Sequence, residues 1–335
     1  MPGSRVLAGT AAGSVLALAA LAGRYAAGVS RADRAWPVQV GARLRDLGEV
    51  DEVSILPLAE RLTLEGSGLK GEPGVSYLVR AGGRRVLFDS GLSGGRPESV
   101  LAHNARALGI PLDDLDAVVI SHLHADHVGG LVAMRRHTFS FSADPLEPPG
   151  VPAYVPTQMH HLRADVAVTT GPMVIGPGMA VLPPLPRMLF WLGYITEQAM
   201  VVNVTGFGLV LISGCGHPRI EQILGVAERV LDVPIKAVVG GLHLPVHPAR
   251  TPLVPQAILG NPHPPWQPIS EGDAEHVLEE IAARGPRLVA LSSHDSTPWT
   301  YDAFARRFGD RYQTLRAGET LTISATAGTP AGAAQ

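Results

Sequence analysis

The sequence predicts an α/β fold in which two mixed β-sheets pack together and helices cover them on the outside. A hairpin, a helix and a short strand follow one another between residues 74 and 120, and a similar order recurs between residues 200 and 291. This alternation of helices with strands suits two covered sheets. Of the 335 residues, 46% are hydrophobic, which is ample for a core and excludes a wholly disordered chain.

The first half of the pattern begins with a hairpin. Residues 74–80 and 84–89 read as strands joined by the turn Ala81-Gly82-Gly83. Residues 98–108 carry apolar side chains at helical spacing, and residues 117–120 form a wholly apolar run that is typical of a buried strand. We therefore expect a strand that ends at Ser121.

The second half repeats these elements and adds two more helices. The predicted elements are a hairpin of residues 200–204 and 209–212, helices at 219–231, 273–284 and 301–308, and strands at 237–239 and 287–291. Proline-rich residues 145–156 and 244–268 are predicted to be long ordered loops. The apolar run 183–192 predicts either a hydrophobic substrate pocket or a helix docked on the core.

The N-terminus contains an uncharged apolar segment, residues 6–23. Its eighteen residues are at the lower limit for crossing a bilayer. Because Arg5 precedes it and Ala20-Leu21-Ala22 resembles a cleavage site, a membrane anchor and a secretory signal peptide both fit. The alternative is an Ala/Gly-rich helix packed on the domain. We expect membrane association through this segment, or export, with the orientation undecided.

The predicted organisation is a single catalytic domain with two extensions. Residues 1–35 form the N-terminal segment with its linker, residues 36–324 the domain, and residues 325–335 a flexible Ala/Gly-rich tail. The oligomeric state is not predicted.

Charge and cysteine content exclude several classes of protein. The net charge of −3 provides no overall basic field, so no nucleic-acid partner is predicted. The single cysteine, Cys215, excludes intramolecular disulfides and cysteine-rich zinc modules. The partner that remains is a small-molecule substrate.

A cluster of metal-ligand side chains follows the predicted strand at residues 117–120. The string Ser121-His122-Leu123-His124-Ala125-Asp126-His127 places four potential ligands within six residues. In an extended segment the side chains of residues 122, 124 and 126 point the same way, whereas those of 126 and 127 diverge. One loop can therefore supply two neighbouring divalent ions, with zinc as the first choice and manganese or iron as alternatives.

The string H-x-H-x-D-H, placed between this strand and Gly129-Gly130-Leu131, resembles the metallo-β-lactamase superfamily. The chain resembles more narrowly the branch named for 7,8-dihydropterin-6-methyl-4-(β-D-ribofuranosyl)-aminobenzene-5′-phosphate synthase. The stretches that carry this resemblance are residues 87–91, 115–131, 197–199, 213–217, 240–244 and 293–295. The resemblance implies an αβ/βα sandwich with a two-metal site at one edge of its sheets.

The same resemblance implies roles for individual residues. His122 and His124 would bind the first metal, and Asp126 and His127 the second. His217 follows a predicted strand, which is compatible with a ligand, and the resemblance implies the same role. Further candidates are His294, as the last ligand of the second metal; His243, as an additional ligand or a substrate contact; and Asp89, as either a residue that orients a ligand histidine or a turn cap.

The sequence also departs from the superfamily. Many members have an aspartate that bridges both metals after the strand predicted here at residues 209–212, and this chain offers Cys215 instead. The thiol can be a metal ligand or an ordinary buried side chain, and the second interpretation is favoured. His294 is followed by Asp295-Ser296-Thr297, where the branch usually has Cys-Thr-Gly.

The function predicted from these residues is hydrolysis by a metal-bound hydroxide, on a phosphoester or on another ester or lactone. Asp126 is the predicted catalytic residue, because it can both ligate and orient the nucleophile. Two bound metals lower the pKa of a water from 15.7 to roughly 7. No G-x-S-x-G context is present for a serine nucleophile. The alternatives are a di-iron redox protein and a non-catalytic small-molecule-binding protein.

Overall fold

The computed structural model describes residues 3–36, 43–248 and 258–325. Two seven-stranded mixed sheets form its centre. The first sheet has the order β16-β1-β2-β3-β4-β5-β6. Its strands are β1 (Glu52–Ala59), β2 (Ser76–Ala81), β3 (Arg84–Phe88), β4 (Ala117–Val119), β5 (Pro152–Val155), β6 (Asp165–Val168) and β16 (Leu321–Ser324).

The second sheet has the order β15-β14-β13-β12-β11-β8-β7. Its strands are β7 (Met173–Gly176), β8 (Met179–Val181), β11 (Met200–Val204), β12 (Gly208–Ser213), β13 (Ile235–Gly240), β14 (Leu288–Leu291) and β15 (Tyr312–Thr314). Strands β3 to β6 of the first sheet are parallel to one another, and so are β12 to β15 of the second.

The helices are α1 (Gly3–Ala35), α2 (Val100–Ala107), α3 (Ala125–Val128), α4 (Leu131–Arg135), α5 (Ile220–Val230), α6 (Glu271–Ala282) and α7 (Pro298–Phe308). Helix α2 covers the outer face of the first sheet, where Leu101 packs in a cluster with Leu78 and Leu87. Helices α5, α6 and α7 cover the outer face of the second sheet. The predicted layers of helix, sheet, sheet and helix are confirmed.

The central core lies between the two sheets. Val79 and Phe88 of the first sheet belong to one buried cluster with Val202, Val210 and Val239 of the second. The short apolar strands read from the sequence are therefore buried because they are covered on both sides.

Residues 183–192 were predicted to form either a hydrophobic substrate pocket or a helix. They do not form a helix, and they do not by themselves form the wall of a pocket. They contribute strand β9 (Leu185–Leu189), which pairs with β10 (Gly193–Glu197) in a separate two-stranded hairpin. The prolines at positions 183, 184 and 186 disfavour a helix here, since proline lacks the N–H group that a helix interior needs. Two residues of this run line cavities beside the site described below: Leu192 lines one and Arg187 lines the other.

The prediction that the chain attaches to a membrane through its N-terminus is wrong. In the part of the chain that the structure describes, no helix is sufficiently long and apolar to cross a membrane. The later turns of α1 instead pack on the β9–β10 hairpin. A Cβ atom added at Gly28 would lie 2.3 Å from Met188 Sδ, and the Arg31 guanidinium lies 4.3 Å from the centre of the Tyr194 ring. This contact matches the alternative of a helix packed on the domain.

Candidate metal centre

The predicted ligands meet at one edge of the two sheets, at the carboxyl ends of parallel strands. Strand β4 leads into the loop that carries His122 and His124, and helix α3 then begins, with Asp126 and His127 in its only turn. His217, His243 and His294 follow β12, β13 and β14. The topology alone therefore brings together residues that lie up to about 170 positions apart in the sequence.

His122, His124 and His217 form a compact group of three imidazoles. The His122 ring centre lies 4.5 Å from that of His124 and 5.0 Å from that of His217, and the rings of His124 and His217 are also 5.0 Å apart. All three side chains are buried. Nε2 of His122, Nε2 of His124 and both ring nitrogens of His217 have no hydrogen-bond partner.

Burial keeps these three imidazoles neutral. It lowers the pKa of His122 and His217 well below the usual value, and the neighbouring histidines lower it further. Burial, followed by the charges of His127 and His243, lowers the pKa of His124 to about 3. A neutral imidazole with a free nitrogen is the form that binds a metal ion.

A second group consists of Asp126, His127, Cys215 and His294. Its candidate ligand atoms all lie within 4.8 Å of one another. His127 Nε2 is 3.7 Å from an oxygen of Asp126, and the rings of His127 and His294 are 5.3 Å apart. Burial alone would lower the pKa of His127, but the carboxylates of Asp126 and Asp89 outweigh it and raise the pKa to about 9.

Cys215 lies between the two groups. Its Sγ atom is 3.1 Å from His127 Nε2 and 3.2 Å from His294 Nε2, and it also lies within 4.8 Å of candidate ligand atoms of His122 and His217. Burial raises the pKa of the thiol well above its usual value, and the surrounding carboxylates raise it further. The thiol thus occupies the position between two ligand groups rather than a place in the hydrophobic core.

His243 faces the same site from β13. Its ring centre is 4.8 Å from that of His217, and neither of its ring nitrogens has a hydrogen-bond partner. Its φ of 50° lies in the left-handed region, which a non-glycine residue adopts at a cost. The backbone N–H of His243 donates to Asp295 Oδ2 over 2.8 Å, and this hydrogen bond helps to hold the unusual conformation.

Asp89 orients the histidines of the first loop. One of its oxygens lies 2.7 Å from His127 Nδ1 and also accepts from Ser121 Oγ over 2.6 Å. Ser121 Oγ in turn lies 2.9 Å from His122 Nδ1. A carboxylate that holds Nδ1 of a histidine leaves Nε2 directed towards the ligand group, which is the usual arrangement around a metal site.

Glu60 orients His294 through Ser292, and this role was not predicted from the sequence. Ser292 Oγ donates to Glu60 Oε1 over 2.5 Å and lies 2.6 Å from His294 Nδ1. Tyr77 donates to the same oxygen, and the N–H and hydroxyl of Ser293 donate to the other. Burial raises the pKa of Glu60, and these four donors act in the opposite direction. The available signal was a lone glutamate directly after an apolar strand.

Glu197 anchors the loop between β12 and α5. It accepts from the backbone N–H groups of Cys215 and Gly216, over 3.0 and 2.8 Å, and from that of His217 over 2.9 Å. Its place in the resembling stretch 197–199 indicated a role, but the sequence did not indicate which groups it would bind.

Two cavities adjoin this centre. One has a volume of about 310 Å³ and is lined by His124, Asp126 and Cys215 among others, and the other has a volume of about 190 Å³. His217 and His243 line both. Two further histidines that are adjacent in the sequence, His160 and His161, line neither cavity. The His161 ring instead stacks on Phe139 at 4.3 Å.

Comparison with known proteins supports the fold. Residues 69–139 match the model of the metallo-beta-lactamase superfamily. The crystal structure of a metal-dependent hydrolase of the β-lactamase superfamily aligns with a TM-score of 0.59 and 24% identity, covering 81% of this chain and 99% of that one. The chain therefore has the metallo-β-lactamase fold, and the predicted resemblance to that superfamily is confirmed.

A more particular similarity is to a curated protein of Methanocaldococcus jannaschii, 7,8-dihydropterin-6-methyl-4-(beta-D-ribofuranosyl)-aminobenzene-5′-phosphate synthase. The two are 23% identical over 241 residues, which are 60% of this chain and 81% of the relative. Ribonuclease Z of Mycobacterium avium is 35% identical over 100 residues, but these cover only 28% of this chain and 33% of that enzyme.

Proposed function

We propose that this chain is a metal-dependent hydrolase that cleaves a phosphoester or another ester or lactone of a small molecule. The observation that carries the proposal is the set of buried ring nitrogens on His122, His124, His217 and His243 that have no hydrogen-bond partner. A buried polar atom without a partner costs roughly 1–3 kcal/mol, and a bound metal ion would remove that cost. The donor set suits two divalent ions, with zinc as the first choice and manganese or iron as alternatives.

The candidate ligands form two sets, one for each of two ions. His122, His124 and His217 would hold one of them. Asp126, His127 and His294 would hold the other, since their candidate ligand atoms form the second close group. The Cys215 thiol lies in a close group with His122 and His217 and in another with Asp126, His127 and His294, so it would be an additional donor to either ion.

When bound, such ions lower the pKa of a water to roughly 7 and polarise the oxygen of the bond to be cleaved. The protein itself contributes the acceptor that orients the attacking water. Asp126 fits this role, because its carboxylate borders the 310 Å³ cavity and lies beside His127. Asp89 and Glu60 keep His127 and His294 in place during turnover.

A serine nucleophile does not fit this arrangement. The hydroxyls of Ser121 and Ser293 are fully buried and donate to Asp89 and Glu60. Neither residue lines the two cavities beside the centre. Both hydroxyls therefore position other groups rather than attack a substrate.

The test is metal analysis of the purified full chain together with assays on phosphomonoesters, phosphodiesters and lactones. We expect about two zinc or manganese ions per chain and turnover of at least one of these classes. His124→Ala should lose both the metal and the activity, whereas His103→Ala, on helix α2, should retain them. Fewer than one ion per chain would contradict the proposal, as would full loading without turnover of any ester. Two irons with an optical band that bleaches on reduction would indicate redox chemistry instead.

A further inference from the structure

The cavity of about 310 Å³ has a polar floor and apolar walls. Its floor includes Asp126 and Cys215 of the metal centre, and its walls include Leu92, Met134 and Leu192. A pocket with a few polar groups at one end and apolar side chains around it is typical of a site for an organic ligand. An organic ligand in this cavity would therefore have its apolar part next to the metal centre.

The entrance to this cavity is apolar as well. Leu131, Leu192 and Leu259 all line it, and they are 57%, 39% and 46% exposed. Single exposed leucines are common on protein surfaces, but three around the mouth of one cavity mark a contact site. The exposed side chains can therefore shield an apolar chain that enters from solvent.

The second cavity, of about 190 Å³, is different in character. Arg187, Arg219 and His263 line it, and it shares His217 and His243 with the apolar cavity. Arg187 Nε is buried and has no hydrogen-bond partner, and within residues 3–36, 43–248 and 258–325 no carboxylate lies at ion-pair distance from this arginine. Arg219 does have a partner, Glu221, at 3.2 Å.

The electrostatics of this second cavity favour an anion. Burial lowers the pKa of His263, the carboxylate of Asp273 opposes this shift, and Arg187 and Arg219 both add to it, so the two guanidinium groups act on the same space. Two carboxylates also border the cavity. Asp273 accepts from the N–H and hydroxyl of Ser270 at the start of α6, and Glu221 pairs with Arg219. The Nε atom of Arg187 thus still lacks an acceptor, although the charges of Asp33 and Glu221 act on this guanidinium from a distance.

We propose that the ligand of this site is an amphiphile, with an apolar chain or ring in the larger cavity and a phosphate-type oxyanion against Arg187 and Arg219. Such a ligand spans His217 and His243, which separate the two cavities. Planar guanidinium groups suit phosphate geometry, and Arg187, which is half-buried and whose Nε has no hydrogen-bond partner, would gain from such a contact. The inference deepens the proposed function, on which it rests, by naming its substrate class.

The test is calorimetric titration of the metal-loaded full chain with two probes, octylphosphonate and methylphosphonate. Each methylene that becomes buried should tighten binding about fourfold, so octylphosphonate should bind at least tenfold more tightly. Arg187→Gln should weaken the binding of both probes by about tenfold or more, since a hydrogen bond to a charged group is lost. Arg80→Gln, on strand β2 and outside both cavities, is the matched control and should bind as the wild type does.

A second variant separates the two halves of the site. Leu131→Ser alters an exposed side chain at the entrance, so the fold should not change. It should weaken the binding of octylphosphonate and leave the binding of methylphosphonate unchanged.

The proposal is overturned if the two probes bind the wild type equally, or if Arg187→Gln binds them as tightly as the wild type. Metal content is measured for every variant, so that a lost metal is not mistaken for a lost ligand contact. Hydrolysis of esters without these binding differences would contradict this inference alone, whereas the expected binding without any ester turnover would contradict the proposed function alone.

Discussion

The Sγ atom of Cys215 lies 3.1 Å from Nε2 of His127, in the middle of the candidate metal centre. The resemblance implied a bridging aspartate near this position, and the thiol stands in its place. A buried thiol with a raised pKa is protonated without a metal, but metal binding releases that proton because only the thiolate is a good ligand. The position of Cys215 therefore predicts that its sulfur is a metal ligand and not an inert side chain of the core.

Cys215→Ala should weaken binding of the second metal ion by at least tenfold, because one donor between the two ligand groups is removed. Elemental analysis at limiting zinc measures the loss. Cobalt loading supplies a spectroscopic signature, since a thiolate ligand produces a charge-transfer band that the variant should lack. Cys215→Asp is the matched variant and should retain two ions. Equal loading of wild type and Cys215→Ala would show that the thiol is not a ligand.

Glu60→Ala should destabilise the protein by on the order of 3 kcal/mol, since Tyr77, Ser292 and Ser293 would be left as buried donors without an acceptor. Urea denaturation measures this loss. Glu60→Gln should cost less, because the amide oxygen still accepts. If the role of Glu60 includes orientation of His294, both variants should also bind metal more weakly. A variant as stable as the wild type would disprove the structural part of this prediction.

Removal of metal should lower the thermal stability of the full chain. The buried, unpartnered imidazoles of His122, His124 and His217 bind ions in the folded state only, so excess zinc stabilises that state. At one hundred times the dissociation constant the gain is about 2.7 kcal/mol for one ion, which raises Tm by roughly 4–5 °C for a domain of this size. Differential scanning calorimetry with a chelator, with zinc and with magnesium measures the effect. A Tm that is the same under all three conditions would argue against a metal site.

Tyr25→Phe should loosen the segment that borders both cavities. The Tyr25 hydroxyl donates to the carbonyl of Pro262 over 2.6 Å, and its ring lies 5.4 Å from that of Phe190. Loss of the hydroxyl should cost about 1 kcal/mol. Faster hydrogen exchange in the segment around residues 260–268, with no change in the central strands, is the expected observation. Tyr312→Phe, whose hydroxyl bonds to Thr314, is the control. Unchanged exchange in this segment would mean that α1 does not support it.

The strands and helices near the site were predictable because their signals are local. The run at residues 117–120 has no polar residue, and helix α5 carries apolar side chains at regular spacing, so each could be read within a short window. The strand at Leu185–Leu189 could not be predicted in this way. Its leucines and its prolines give conflicting signals, and its pairing with the following strand and with α1 decides its conformation.

Within the candidate site, the histidines could be predicted from the sequence, whereas the roles of two carboxylates, Glu60 and Glu197, could not. The density of ligand residues from His122 to His127 is a property of six consecutive residues, and it predicted a metal site directly. Glu60 and Glu197 have no neighbours in the sequence that indicate their partners. Glu60 reaches serines more than 230 positions away, and burial makes those contacts strong.

The amino-acid order was sufficient for the two-sheet architecture and for the chemical type of the site, because apolar periodicity and the spacing of ligand residues act over a few residues. Three features depended on the folded chain. They are the position of Cys215 between two groups of ligands, the contrast between an apolar and a cationic cavity on either side of His217 and His243, and the packing of α1 on the domain. Each depends on distances between residues far apart in the chain, and only the packing of the two sheets sets those distances.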